Sequence, residues 1–341
     1  MHVDMMVNAG PLRDVQRLAA DAADAGFSGL VVTEAARTAY LSCAAAALTA
    51  DLDLATGIAV AFPRSPMVTA QVAWELAQLT GGRFRLGLGT QVRAHIERRY
   101  GAQFDHPGPR MREYVEAVRS CFRAFRGEAL DHHGEFYDLS LLPAFWAPGP
   151  IGVADPPIDV AAVNPWMLEM AGEVADGVHV HPLNNPIYLR ETVLPRLAAG
   201  AARAGRDPAG LQVIVPAFTA LGESAAEQQR WREVARTQVA FYGSTPGYGG
   251  LFDQLGHSGT TDRIRERQKA RDIPGMAAAV PDELLDHFVV VGDVDDVTAQ
   301  LRERYEGVAT RVVLYFAGLA WQRDPAALGP FGAVARALRG Q

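Results

Sequence analysis

Residues 55–101, ATGIAVAFPRSPMVTAQVAWELAQLTGGRFRLGLGTQVRAHIERRYG, constrain the fold more than any other stretch of this chain. An apolar run that contains a glycine (54–62) stops at Pro63-Arg64-Ser65-Pro66. An alanine-rich amphipathic stretch follows, then Gly81-Gly82, then a second short run (83–88) that ends in Gly89-Thr90. The pattern is strand, helix, strand, with small residues where each strand should stop. In parallel α/β proteins those stops are where ligands bind.

The same alternation runs along the rest of the chain. Residues 3–7 and 29–33 read as the first two strands. Between them Leu12, Val15, Leu18, Ala19 and Ala22 recur at helical spacing opposite Arg13, Asp14, Arg17, Asp21 and Asp24. Further strands are predicted at 158–161, 177–180, 211–221 (bent at its proline) and 311–316. Helices are predicted at 39–50, 110–125, 165–175, 186–204, 293–305 and 324–339. Residues 126–157 are rich in Gly, Pro and aromatics, and 222–287 are polar and helical around a Gly/Tyr/Pro-rich loop at 243–250. Eight strands alternating with helices, and no compositional break, predict one α/β domain over 1–341. It is a single (β/α)8 TIM barrel with insertions after strand four (126–157) and after strand seven (222–287). An open doubly wound sheet would need an early G-x-G-x-x-G turn, which the sequence lacks.

Composition narrows the function. A net charge of −7 gives none of the basic footprint of a nucleic-acid binder. No apolar run is long enough to span a bilayer, and MHVDMMVN has neither the basic start nor the apolar core of a signal peptide. Cys43 and Cys121 are the only cysteines, so a disulfide scaffold is not expected. The expectation is a cytoplasmic protein acting on a small-molecule substrate, without nucleic-acid or membrane partners.

In such a barrel the active site lies at the carboxyl ends of the strands. Those ends carry Asn8, Thr33-Glu34, Gly57-Ile58 with Phe62, Gly89-Thr90-Gln91, Val163-Asn164, and His179 with His181. Glu34 is the one carboxylate that closely follows a strand end, so no acid–base pair stands out, and a rim this poor in ionisable groups points to an organic cofactor. Asn164-Pro165 has the form of an N-cap followed by proline at the first helical position, which turns free N–H groups toward the rim and suits a phosphate. His179 and His181 share one side of a strand, as in metal-dependent barrels. The rim offers too few further ligands, so a pocket-lining role outweighs a metal site, and no metal is expected.

With the rim laid out, the chain resembles the bacterial luciferase-like family, specifically its coenzyme F420-dependent (deazaflavin) oxidoreductases. The likeness rests on VVTE; on TGIAVAFPRSP followed by AWELAQLTGGRFRLGLGTQVRAHIERRYG; and on RMREYVEAVR, HHGEFY, AGEVADGVHVHP and DELLDHFVVVGDVDDVTAQLRERY. The resemblance implies a homodimeric TIM barrel that binds F420, or alternatively FMN, at its carboxyl face. It implies a non-prolyl cis peptide at Gly57-Ile58 behind the ring, and Glu34 as the catalytic polar or proton-transferring group near the ring. Gly89, Thr90 and Gln91 would then contact ring and ribityl chain, and Val163, Asn164, Pro165 and Trp166 the phosphate. Asn8, Arg37, Tyr40, Phe62 and His181 are expected pocket walls. Two positions depart from the family pattern: Ala35 stands where many members have histidine, and Asn164 where glycine is common. The expected activity is hydride transfer between F420 and an organic substrate. A reduced-FMN monooxygenase is the alternative, and a barrel with only a binding role a second one.

Overall fold

A computed structural model describes residues 1–340. Eight parallel strands form its centre: β1 (His2–Asn8), β2 (Gly29–Thr33), β3 (Asp53–Thr56, resuming at Ala59–Val60) and β4 (Phe84–Gly89). The circle is completed by β5 (Ile158–Ala161), β6 (Gly177–His179), β7 (Gln212–Leu221) and β8 (Arg311–Leu314). Each pairs with the next, and β8 pairs with β1, so the sheet closes as a (β/α)8 barrel.

Local chemistry explains the boundaries. The first helix, Leu12–Ala25, ends because Gly26 takes a left-handed conformation (φ 92°) and its N–H satisfies the carbonyls of Ala22 and Ala23. The PRSP break is a helix start: Ser65 caps Pro66–Leu79 by accepting the N–H of Val68, and Pro66 fills the first helical position. That helix presses Trp74 against Phe122 (ring centroids 5.4 Å apart) and Phe125 of the helix Pro107–Phe125. Cys43 and Cys121 are free and buried.

Two features differ from the sequence expectation. A helix at Ala317–Arg323 precedes the closing helix, which is Leu328–Arg339. An additional strand, Val289–Gly292, pairs with the upper half of β7. The lower half of β7, residues 212–214, pairs with β6 instead. Pro216 lies between the two partners, where its missing N–H costs no ladder bond. β3 is interrupted at Gly57-Ile58, whose peptide is cis, at the position where the family resemblance implies one.

The first insertion is small and pinned. His132–His133 and Asp138–Leu139 form a two-stranded hairpin. Glu113, in the helix Pro107–Phe125, accepts the N–H groups of Glu135, Phe136 and Tyr137 at 2.6–3.0 Å. Gly134 is required there, because a Cβ would lie 2.0 Å from the Glu113 Oε1. The second insertion is a set of helices, the longest being Ala225–Gly243, opened by a Ser224/Glu227 capping box. Among the described residues no helix is long and apolar enough to cross a membrane.

Candidate active site at the barrel mouth

Side chains alternate in and out along each strand, so the barrel interior can be read upward in layers. The bottom is ionic. Arg311 on β8 donates to both oxygens of Asp4 on β1 (2.7 and 2.8 Å) and to Asp53 on β3 (2.8 Å). Arg85 on β4 grips Asp159 on β5 through two bonds of 2.8 and 2.6 Å. The middle is an apolar plug of Met6, Val31, Ala55, Ile214 and Val313, with His179 beside it.

His179 occupies space that two glycines leave free. A Cβ on Gly57 would lie 3.5 Å from its Cε1, and one on Gly87 would lie 2.6 Å from its Nε2. Thr56 stitches β3 to β4 at this level, donating to the Gly87 carbonyl (2.7 Å) and accepting the Gly87 N–H (2.9 Å). Burial lowers the pKa of His179 to about 4, against the opposing pull of Asp159 3.9 Å away. Below pH 6.5 the unfolded chain therefore binds a proton that the folded chain refuses. Stability should fall as the pH drops from 6.5 toward 4, by up to about 1.4 kcal/mol per pH unit. Urea midpoints at pH 7 and 5 should show the fall, and His179→Gln should flatten it; an unchanged slope in that variant would place its origin in another group.

The top layer comprises Asn8, Thr33, Gly57, Gly89, Ala161, His181, Pro216 and Tyr315, each two residues above an inward position. It is asymmetric. On β3 to β5 the side chains are small, and Ile58 lies across Gly89, where a Cβ would come 2.6 Å from its Cδ1. Opposite stands an aromatic wall: the Tyr242 and Tyr315 hydroxyls share a 2.6 Å hydrogen bond, and His181 packs against Tyr242 and Tyr248.

The expected site residues are distributed around this mouth. Thr33 donates to Asn8 at 2.9 Å. The Glu34 carboxylate is only 3% exposed and is held by Arg64, with bonds of 2.7 and 3.2 Å; it also accepts the Val60 N–H at 3.4 Å. Arg64 also stacks 5.2 Å over Tyr40, whose buried hydroxyl has no hydrogen-bond partner. Phe62 lies beneath Arg110 and against Phe104, while Arg37 is exposed. Gln91 turns the chain in a left-handed conformation (φ 57°), and Thr90 donates to its carbonyl. The Asn164 side chain accepts the N–H of Met167, and its carbonyl takes that of Leu168. Since Pro165 has no N–H, only that of Trp166 is left over in the first helical turn. The Trp166 ring turns away, over Gly108 and Arg112, so its bulk does not fill the turn. Val163 offers its carbonyl to Tyr188 at 2.7 Å.

Arg64, Tyr242, Tyr248 and Tyr315 were not legible as site residues. A buried carboxylate such as Glu34 requires a cationic partner, which is the one signal that could have drawn attention to Arg64. Among the described residues no group of three or more His, Cys, Asp or Glu side chains is placed to hold a metal ion.

This fold and mouth define a luciferase-like barrel, and residues 1–311 match the luciferase-like monooxygenase family, to which the chain belongs. An uncharacterised protein of Mycobacterium tuberculosis is 40% identical over 319 residues, covering 92% of this chain and 94% of its own. The 5,10-methylenetetrahydromethanopterin reductase of Archaeoglobus fulgidus is 29% identical over 302 residues, 86% of each chain. Among solved structures, the coenzyme F420-dependent tetrahydromethanopterin reductase of Methanopyrus kandleri superposes with a TM-score of 0.77 at 21% identity, covering 97% of this chain and 98% of that one.

Proposed function

We propose that the chain is an oxidoreductase that exchanges a hydride between coenzyme F420 and a small organic substrate at the barrel mouth. The observation that carries this reading is the low shelf on β3 to β5, where Gly57, Gly89 and Ala161 are small and Ile58 lies across Gly89, opposite the aromatic wall of His181, Tyr242 and Tyr315. Its placement fits a family whose relatives include F420-dependent reductases. Gly57 and Ile58 would back the ring, Gly89, Thr90 and Gln91 would border ring and ribityl chain, and the turn from Val163 to Trp166 would take the phosphate through the Trp166 N–H. The bound cofactor supplies the hydride-carrying centre; the protein supplies a dry, shaped cavity and fixed donors. Glu34 acts as the polar partner that holds Arg64 against the rim, and Asn8, Arg37, Tyr40, Phe62 and His181 border the substrate space.

Titration of the purified protein with F420 and, separately, FMN, followed by cofactor fluorescence, tests this. Saturable binding of F420 that is at least tenfold tighter than that of FMN is expected. Binding of FMN alone would replace the proposal with a reduced-FMN monooxygenase, the reading that the family's description favours. Binding of neither would leave a barrel with only a binding role.

The same reading includes a homodimer. The helix Ala39–Ala47 is apolar on all sides, and Leu41, Leu48, Val68 and Leu79 are exposed on it and its neighbour. Sedimentation at micromolar concentration should give a species of twice the chain mass; a monomer at that concentration would refute the dimer.

A further inference from the structure

His181 has a geometry that the cofactor does not explain. It lies at the top of β6, two residues beyond His179, on the inward side of the wall. Its Nδ1 accepts the N–H of Leu183 at 3.1 Å, so the neutral ring must carry its proton on Nε2 and can only donate there. Asn184 braces the turn by donating to the carbonyls of His181 (2.9 Å) and Pro216 (2.8 Å). The ring is held edge-on to Tyr242, with centroids 4.6 Å apart at 83°, and tilted over Tyr248 at 4.2 Å. Both tyrosines come from the second insertion, and Tyr242 is fixed in turn by its bond to Tyr315.

The groups facing His181 are phenols: Tyr242, Tyr248 and, through Tyr242, Tyr315. No charged group perturbs the ring, and burial alone lowers its pKa to about 3. The side chain is half-buried, and among the described residues its hydrogen bonds are made by Nδ1 and the carbonyl, which leaves Nε2 open to the mouth. A donor that is oriented, uncharged and open to the mouth of a barrel is placed to meet an acceptor brought by a ligand.

We propose that His181 is a fixed Nε2–H donor to an oxygen acceptor, a carbonyl, hydroxyl or phenolate, on a planar ligand seated against Tyr242 and Tyr248. This gives the ligand class: neutral or anionic aromatic or enone-like compounds with an exposed oxygen. Cationic amines are disfavoured, because the ring has no acceptor left to offer. The inference rests on the reading of the mouth as the substrate site.

The test uses the full chain, uniformly labelled with nitrogen-15, without cofactor. His181 signals are identified by their loss in His181→Phe, which preserves a ring against the two tyrosines; His181→Gln serves if that variant does not fold. Expected is the Nε2–H tautomer, unchanged between pH 8 and 5. Acetophenone should shift the Nε2 signal, and α-methylstyrene, with a methylene in place of the oxygen, should bind about fivefold more weakly, the ratio one neutral hydrogen bond makes. His181→Phe or His181→Gln should bind the two equally. A proton on Nδ1, titration near pH 6.5, no shift with acetophenone up to its solubility, or a preference that survives in the variant would each overturn the proposal. F420 fluorescence on the same samples separates the two readings. Cofactor binding with an unmoved His181 fails this inference alone, whereas a shifted His181 without cofactor binding fails the F420 assignment alone.

Discussion

Replacing Arg311 by alanine should lower the unfolding free energy by about 3–5 kcal/mol, the cost of leaving a buried charge without its partner. Arg311 is 8% exposed and Asp4 2%. The guanidinium spans three strands of the barrel floor, from β8 to Asp4 on β1 and Asp53 on β3. It reaches Asp53 because Gly29 on the intervening β2 has no side chain; a Cβ there would lie 3.0 Å from Asp4 Oδ1. Alanine would strand the Asp4 carboxylate in the floor. The partner experiment is the double change Asp4→Leu, Arg311→Met, which removes both charges and should lose far less than the two single changes summed. Urea unfolding at pH 7 reads all of them. A loss below about 1 kcal/mol in Arg311→Ala would mean that water reaches the floor and solvates Asp4.

Gly87→Val should prevent accumulation of soluble protein, and Gly87→Ala should cost more than the 1–3 kcal/mol typical of an overpacked core. The new Cβ would sit 1.9 Å from the Thr56 carbonyl oxygen as well as against His179. A side chain can swing aside, but that oxygen belongs to β3, at the point where its ladder is already interrupted. Relief at His179 should therefore not rescue the variant, and His179→Ala combined with Gly87→Ala should melt no higher than Gly87→Ala alone. Thermal melts of the soluble variants decide this. A Gly87→Ala protein melting within a degree or two of the natural chain would show that β3 can shift outward.

Much of the fold was legible because it rests on local rules. The alternation of period-two and helical runs identified all eight barrel strands, and Ser65-Pro66 and Asn164-Pro165 form the caps their residue types favour. The strand Val289–Gly292 was missed for a physical reason: a short apolar run that ends in Gly-Asp reads equally well as the lead into the helix capped by Asp293. The site was legible as a set of strand-end positions, which the period of two brings to one rim. What those side chains do there was not. Glu34 looks free in sequence, yet Arg64 holds it from thirty residues away. Tyr242 and Tyr248 come from an insertion whose periodicity marks helices but not the direction in which the loop between them folds. The tautomer of His181 depends on one backbone N–H, that of Leu183, which no pattern of residue types encodes.

The exchange of partners along β7 has a consequence for how this protein can diverge. Leu221 leaves the barrel beside Gly292, the residue to which the second insertion returns the chain. The segment between them is thus a cassette with adjacent ends, clipped to the outside of one stave. Doubling its length would add only about 0.6 kcal/mol of closure entropy, and the register of the eight staves would not change. Ligand preference, which depends on the tyrosines this cassette carries, can therefore drift from one descendant to the next while the shelf of small residues across the mouth stays as it is.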